Sequence, residues 1–123
     1  MSELTDPATD PPGTLRIGRA DRPPVAVLAV SGDVDTCTAP RVTAAVAEVL
    51  TEAPPVLVLD LTAVEFLASP GLTALLTIRR GMPAGTELRI VASGRATLRP
   101  IQLTGLEPGL PLYRTLEQAL AAP

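Results

Sequence analysis

Histidine and tryptophan are absent from this 123-residue chain, and cysteine occurs once, at Cys37. Without an imidazole the chain cannot build a Ser-His-Asp or Cys-His catalytic centre or the usual zinc sites. The sequence also shows no glycine-rich phosphate-binding motif. A single cysteine cannot form an internal disulfide, which fits a reducing compartment. We therefore expect no metal and no cofactor.

Lysine is missing as well, so all ten basic residues are arginine, spread along a chain of net charge −3. That distribution argues against nucleic-acid binding, which usually needs a basic face. No apolar run approaches the length of a membrane span, and no charged start followed by an apolar stretch suggests a signal peptide. We expect a soluble, cytoplasmic protein without membrane insertion.

Aromatic side chains make up only 2% of the residues, whereas 46% of the chain is hydrophobic. The core must therefore be aliphatic, and the chain is long enough for one domain with a proper core. Residues 1–13 are rich in Pro, Asp, Thr and Ser, which predicts a disordered N-terminal tail. The folded domain is expected to span residues 14–123.

Strand patterns alternate with helix patterns along this domain, which implies an α/β fold with a parallel or mixed sheet. We expect roughly five strands and four helices. The predicted strands cover 14–19, 25–30, 56–61, 86–92 and 110–113. The predicted helices cover 39–50, 70–80, 96–103 and the C-terminal segment from 115.

Several predicted helix ends carry their usual signals. Arg79 and Arg80 suit the last turn of the second helix, and Gly81 suits its C-cap. Pro100 inside the third helix would remove a hydrogen bond and kink or shorten that helix. Thr115-Leu-Glu-Gln118 is a capping box that opens the fourth helix.

The most informative segment is Val64–Leu76, which reads Val-Glu-Phe-Leu-Ala-Ser-Pro-Gly-Leu-Thr-Ala-Leu-Leu. It places the Ser69 hydroxyl where a strand-exit loop meets a helix that begins at Pro70. Gly71 lets another backbone approach closely. A hydroxyl at this place can cap the helix or serve as a regulatory site, and the residues alone leave both roles open.

Four motifs in register resemble the STAS family. Gly32-Asp-Val-Asp35 resembles the family's Gly-Glu-Leu-Asp signature, and Phe66-Leu-Ala-Ser-Pro-Gly-Leu72 resembles its Phe-Met-Asp-Ser-Ser-Gly-Leu segment. Leu103-Thr-Gly-Leu106 and the segment 113–120 also fall where the family places them. The resemblance covers about residues 14–121. It implies a mixed β-sheet of about five strands with about four helices packed mainly on one face.

The resemblance also implies a function and a partner. Stand-alone bacterial STAS domains are commonly antagonists that bind an anti-sigma factor of the ATPase/kinase type and so release a sigma factor. In that family the kinase then phosphorylates a serine or threonine at the start of the second helix and breaks the complex. A phosphate adds about −1.5 to −2 charges at the contact surface, which suits such a switch.

This chain departs from the family at the phosphoacceptor. The acceptor directly precedes the motif's glycine, and that residue here is Pro70, which has no hydroxyl. Ala68 replaces the acidic residue two positions before the acceptor. Ser69, between them, is the candidate phosphosite, with helix capping as the other interpretation. The resemblance therefore implies a degenerate phosphorylation switch.

The implied partner-binding surface lies on two loops and the first turn of the second helix, at Asp33, Asp35, Phe66, Leu67, Ala68, Ser69, Pro70 and Gly71. From the residues alone, Asp33 and Asp35 are open to nucleotide binding, partner contact or capping of the loop before the first helix. Phe66 and Leu67 face either a partner or the edge of the core. Asp60 is interpreted as a turn former at a strand end.

The sequence thus predicts a non-enzymatic regulatory protein, an anti-sigma factor antagonist with an altered switch. The alternative is a STAS subunit of a larger assembly, such as a lipid transporter or a stress-signalling complex. Nucleotide binding in its own right rests on fold analogy alone. An enzyme is the least expected class, because no catalytic constellation can be assembled from these residues.

Overall fold

The computed structural model describes residues 13–123, so the tail predicted for 1–13 lies outside the described residues except for Gly13. The described chain contains five strands and four helices, in agreement with the sequence prediction. They are β1 (Arg16–Arg19), β2 (Val25–Val34), α1 (Ala39–Leu50), β3 (Val56–Leu67), α2 (Ser69–Arg80), β4 (Glu87–Val91), α3 (Leu98–Leu103), β5 (Leu112–Tyr113) and α4 (Leu116–Ala121), with a 3-10 turn at Glu107–Gly109 before β5.

The five strands form one mixed sheet in which spatial order equals chain order, β1-β2-β3-β4-β5. β1 runs antiparallel to β2, whereas β2, β3, β4 and β5 run parallel to one another. The helices α1, α2 and α3 lie in the crossovers between parallel strands. Parallel strands end at the same edge of a sheet, so the loops that follow β2, β3 and β4 share one edge.

The helices pack mainly on one face of the sheet, as predicted. On that face α1, α2 and α3 enclose an aliphatic core with strand residues such as Leu28, Leu57 and Ile90. The opposite face carries a smaller cluster in which Ala119 of α4 packs on strand residues that include Val58. Among residues 13–123, no helix combines the length and the apolar character that a membrane crossing requires.

The strands β2 and β3 both run further than the sequence predicts. β2 continues to Val34 instead of ending at Val30, and β3 continues to Leu67 instead of ending at Leu61. Asp60 therefore lies inside β3 rather than in a turn at its end. Its Oδ1 accepts a hydrogen bond of 3.0 Å from the amide of Thr62.

Two β-bulges in β3 explain the missed length. Ala29 pairs with Asp60 but Ser31 pairs with Ala63, and Gly32 pairs with Val64 but Asp33 pairs with Phe66. β3 thus contains one more residue than β2 at each place. Because of these insertions, the buried residues at the end of β3 recur every third position, at Leu61, Val64 and Leu67.

The helix α3 is shorter than predicted because it begins at Leu98 rather than at residue 96. Pro100 then falls in the first turn, where a backbone amide has no intrahelical partner to lose. At the other end Gly105 takes a φ of +77°. Its amide donates to the Gln102 carbonyl and the Leu106 amide donates to the Ile101 carbonyl, each at 3.1 Å. This is a Schellman ending, which glycine favours.

The other predicted caps form with small differences. Gly81 is the C-cap of α2, but its φ of −88° does not require a glycine. At α4 the Gln118 amide donates to Thr115 Oγ1 at 3.0 Å, as a capping box requires. The Gln118 Oε1 accepts from the amide of Arg114 at 3.1 Å, one residue before the expected donor.

Arg89 of β4 holds α4 on the sheet. This residue is only 4% exposed. Its Nη1 donates to the Ala119 carbonyl at 2.6 Å, its Nη2 to the Pro123 carbonyl at 3.2 Å, and its Nε to Glu87 Oε2 at 2.8 Å. A helix of six residues is not stable alone, so these bonds to its C-terminal end matter for its position. The positive charge also suits the negative end of the helix dipole.

We expect Arg89→Met to lower the free energy of unfolding by about 2–4 kcal/mol, because it leaves the buried Ala119 carbonyl without its donor and removes the bonds to Pro123 and Glu87. Amide hydrogen exchange in α4 should accelerate more than exchange in β2 or β3. The matched control is Arg41→Met, an exposed position on α1, with an expected change within about 0.5 kcal/mol. Equal unfolding midpoints and equal α4 protection for Arg89→Met and wild type would contradict this role.

Candidate functional site

The ends of β2 and β3 bring two loops together at one edge of the sheet. Val34 pairs with Leu67, and the Ala68 amide donates to the Val34 carbonyl at 2.9 Å. The strand pairing therefore continues into the loops. As a result, the starts of α1 and α2 lie side by side, and most of the residues predicted to bind a partner lie at this edge.

Asp35 closes the loop between β2 and α1. Its Oδ1 accepts hydrogen bonds from the amides of Cys37 at 2.9 Å and Thr38 at 3.0 Å. The Thr38 hydroxyl accepts from the Asp35 amide at 2.9 Å and donates to the Asp33 carbonyl at 2.8 Å. The Thr38 amide, more than any other donor, holds the pKa of Asp35 below its usual value. Of the roles predicted for Asp35, this geometry shows the capping one.

Asp33 contacts the segment that precedes β1. Its amide donates to the Gly13 carbonyl at 2.9 Å. A Cβ added at Gly13 would lie 3.0 Å from the Asp33 carboxyl carbon, so the carboxylate lies directly against that backbone. The neighbouring Gly32 has a φ of +88°, and a Cβ there would lie 2.0 Å from the Thr14 carbonyl oxygen. The motif Gly-Asp-Val-Asp therefore requires a glycine at position 32, because the backbone of Thr14 passes too close for a side chain.

Ser69 is the first residue of α2 and does not cap it. The N-cap is Ala68, with φ −81° and ψ 170°, and no side chain caps the helix. The predicted capping role of Ser69 is therefore wrong. An N-cap residue must precede the helix with a non-helical backbone, and Ser69 lies one position too late for that. Its side chain is exposed, and its hydroxyl has no hydrogen-bond partner among residues 13–123.

Ser69 and Pro70 face two different grooves. Ser69 lines a groove of about 510 Å³ between the β3–α2 junction and α3. Pro70 lines a second groove of about 310 Å³ between α1 and α2, together with Pro40 and Thr73. Successive residues of a helix point about 100° apart, so a hydroxyl at position 69 does not replace one at position 70.

We call the first of these two depressions the α3 groove; its lining includes Phe66, Ser69, Leu72, Arg95, Arg99 and Leu103. The sequence patterns do not single out Arg95 or Arg99, and they include Leu103 only as the first residue of the Leu103-Thr-Gly-Leu106 motif, without a binding role. The signal available for two of them is the four-residue spacing of Arg99 and Leu103, which places both on one face of a helix. Their approach to Phe66 depends on tertiary structure.

Gly71 supports the surface from beneath, and Leu67 does so while also lining the α3 groove. Leu67 is 5% exposed and belongs to the edge of the core, whereas Phe66 is 54% exposed and lies on the surface. Gly71 is buried at the start of α2. A Cβ at this position would lie 2.6 Å from Leu67 Cδ1 and 2.8 Å from Val34 Cγ1. It would also lie 3.2 Å from the Val34 carbonyl oxygen, which confirms the close backbone approach predicted for Gly71 and brings α2 down onto the ends of both strands.

The described residues contain no group of three histidine, cysteine, aspartate or glutamate side chains that could hold a metal ion. The lone Cys37 is exposed in the β2–α1 loop. The edge is therefore an uneven surface with exposed Phe66 and Ser69 and an internally bonded acidic loop.

The STAS domain family model matches residues 18–119, so the chain belongs to the STAS family. Within that family the resemblance to anti-sigma factor antagonists is confirmed. The anti-sigma-F factor antagonist RsfB of Mycobacterium tuberculosis, found in two strains, is 39% identical over 109 residues, which is 89% of each chain.

Solved structures agree with this family. An anti-sigma factor antagonist from Mycobacterium paratuberculosis matches with a TM-score of 0.83 at 44% identity, covering 89% of this chain and 94% of that one. The unphosphorylated form of the antagonist SpoIIAA from Bacillus matches with a TM-score of 0.65 at 18% identity, covering 87% and 93%. That last likeness shows the fold alone.

We expect Gly71→Ala to lower the free energy of unfolding by about 1–3 kcal/mol, because the new methyl group overpacks the ends of β2 and β3. This is the reverse of the usual helix preference for alanine. Ser69→Ala, two residues earlier, is the control and should change stability by less than about 0.5 kcal/mol. Urea unfolding measures both, and a Gly71→Ala variant as stable as wild type would show that α2 can move aside.

The stabilising effect of Asp35 should depend on pH. Its folded-state pKa is lowered, so its contribution is present above the unfolded pKa and is lost as the pH falls through the folded-state value. Asp35→Asn should therefore be less stable than wild type at neutral pH, and the two should converge below about pH 4. Thermal unfolding between about pH 7 and about pH 3 measures the difference. A constant difference over that range would exclude the ionised carboxylate as its source.

Proposed function

We propose that this chain is an anti-sigma factor antagonist, which binds an anti-sigma factor of the ATPase/kinase type and so releases a sigma factor. The observation that carries the proposal is the 39% identity with the anti-sigma-F factor antagonist RsfB over 89% of both chains. Such an antagonist acts by binding alone and needs no catalysis. It would act in the cytoplasm, where its partner holds a sigma factor.

The proposed contact surface is the shared edge of β2 and β3. Exposed or half-buried residues at this edge are available to a partner, namely Asp33, Asp35, Phe66, Ala68, Ser69 and Pro70. The hydrogen bond from Ala68 to Val34 and the bonds of Asp35 fix the two loops before binding. Fixed loops lose little conformational entropy in a complex, which favours binding.

We also propose that the phosphorylation switch is degenerate. Pro70 carries no hydroxyl at the position where the family has its acceptor. Ser69 faces the α3 groove, whereas Pro70 faces the groove between α1 and α2. A kinase that approaches position 70 would therefore meet a proline ring and not the Ser69 hydroxyl. Binding would then be constitutive or set by the availability of the partner.

A tagged copy of the full chain, recovered from the source cells, tests the partner. We expect an ATPase-type anti-sigma factor among the proteins identified by mass spectrometry, and direct binding when both proteins are purified. Recovery of membrane transporter subunits would instead support the alternative of a STAS subunit. Failure to bind every ATPase-type anti-sigma factor encoded in the source genome would contradict the proposal.

The degenerate switch predicts that Pro70→Ser restores phosphorylation. With the purified anti-sigma kinase and ATP, this variant should gain one phosphate and bind the kinase at least about tenfold more weakly. The wild-type complex should persist under the same conditions. The double variant Ser69→Ala/Pro70→Ser should behave like Pro70→Ser, which locates the phosphate. Phosphorylation of wild-type Ser69 with loss of the complex would show that the switch is intact.

A further inference from the structure

The most exposed large hydrophobic side chains of the described chain lie in one groove. Phe66 is 54% exposed and Leu103 is 71% exposed. They come from the end of β3 and the end of α3, yet both line the α3 groove. Leu72, which is 6% exposed, contributes apolar surface to the same groove. Clustered exposed apolar groups mark an interaction site, whereas isolated ones do not.

The same groove is positively charged. Arg95 and Arg99 line it, and no acidic residue is part of its lining. Both arginines are exposed, and within residues 13–123 neither forms a salt bridge. Other arginines of this chain do have acidic partners, as Arg19 and Arg114 show. A groove that carries two arginines in a chain of net charge −3 is complementary to carboxylates.

We propose that the α3 groove receives an acidic amphipathic segment of the anti-sigma factor. Apolar side chains of that segment would pack on Phe66 and Leu103, and its carboxylates would pair with Arg95 and Arg99. An amphipathic helix in an apolar groove is a common mode of recognition. Arginine suits it because the guanidinium can bind a carboxylate through two hydrogen bonds.

This inference rests on the proposed function and extends its contact surface. The partner-binding residues implied by the family resemblance end at Gly71, whereas Arg95, Arg99 and Leu103 lie on the far side of the groove. Ser69 and Ala68 line the groove too, so the two surfaces are continuous. The partner would therefore contact both the β3–α2 junction and α3.

Isothermal titration of the purified full chain with the purified anti-sigma factor tests the proposal. The double variant Arg95→Glu/Arg99→Glu should bind at least about tenfold more weakly and lose most of the salt dependence of binding. The matched control is Arg79→Glu/Arg80→Glu, which makes the same charge change at the exposed end of α2 and should stay within about twofold of wild type. Leu103→Ser should weaken binding about tenfold without altering its salt dependence.

The outcomes separate this proposal from the function on which it rests. If wild type binds and Arg95→Glu/Arg99→Glu binds equally well, the groove is not the contact and the proposed function stands. If wild type binds no ATPase-type anti-sigma factor, the proposed function fails and the groove proposal with it. A free chain that sediments as a dimer, and as a monomer after Leu103→Ser, would assign the groove to a second copy and overturn the proposal. Unchanged unfolding midpoints of the variants show that folding is intact, as expected for exposed side chains.

Discussion

The parallel pairing of β2 with β3 is the interaction on which the rest of the structure depends. Its central residues, among them Val27, Leu57 and Val58, are completely buried between the helices of the two faces. The pairing does not stop with the strands, because the Ala68 amide still bonds to the Val34 carbonyl. Both following helices therefore start from fixed and adjacent points. A surface built on strand ends of this kind keeps its shape before any partner arrives.

Some residues at this edge of the sheet support the surface from beneath, and others are exposed on it. Gly71 brings α2 close to Leu67 and the strand ends, and the rotation of about 100° between successive helix residues turns Ser69 and Pro70 toward separate grooves. Ser69 thus shares its surroundings with α3 and not with α1. Two neighbouring positions in the sequence consequently belong to different parts of the molecular surface. The motif comparison places Ser69 one position before the family's acceptor, and only the folded chain shows that the two positions face different grooves.

Much of the fold could be predicted from the sequence, because the local sequence patterns favour the same helices and strands that the tertiary packing stabilises. Apolar residues at helical spacing give the bounds of α1 correctly at 39 and 50, and the aliphatic composition gives the type of core. The end of β3 could not be predicted, since a three-residue spacing of buried side chains belongs to neither a helix nor a regular strand. Helix capping by Ser69 failed on a difference of one residue in the start of α2. The α3 groove joins segments that are far apart in the sequence, and no single-segment pattern contains it.

The two bulges of β3 also bear on how this sheet can vary among relatives. In a regular strand, gain or loss of one residue turns every later side chain to the opposite face. β3 has already absorbed two such insertions, and they lie between the buried middle of the sheet and the edge that carries Phe66. The bulges therefore separate the register of 56–60 from the register of the edge. Length changes at Thr62 or Glu65 would rotate Phe66 while leaving the pairing of 56–60 in place, so a change of surface at this edge requires repacking of only the outer core residues Val64 and Leu67.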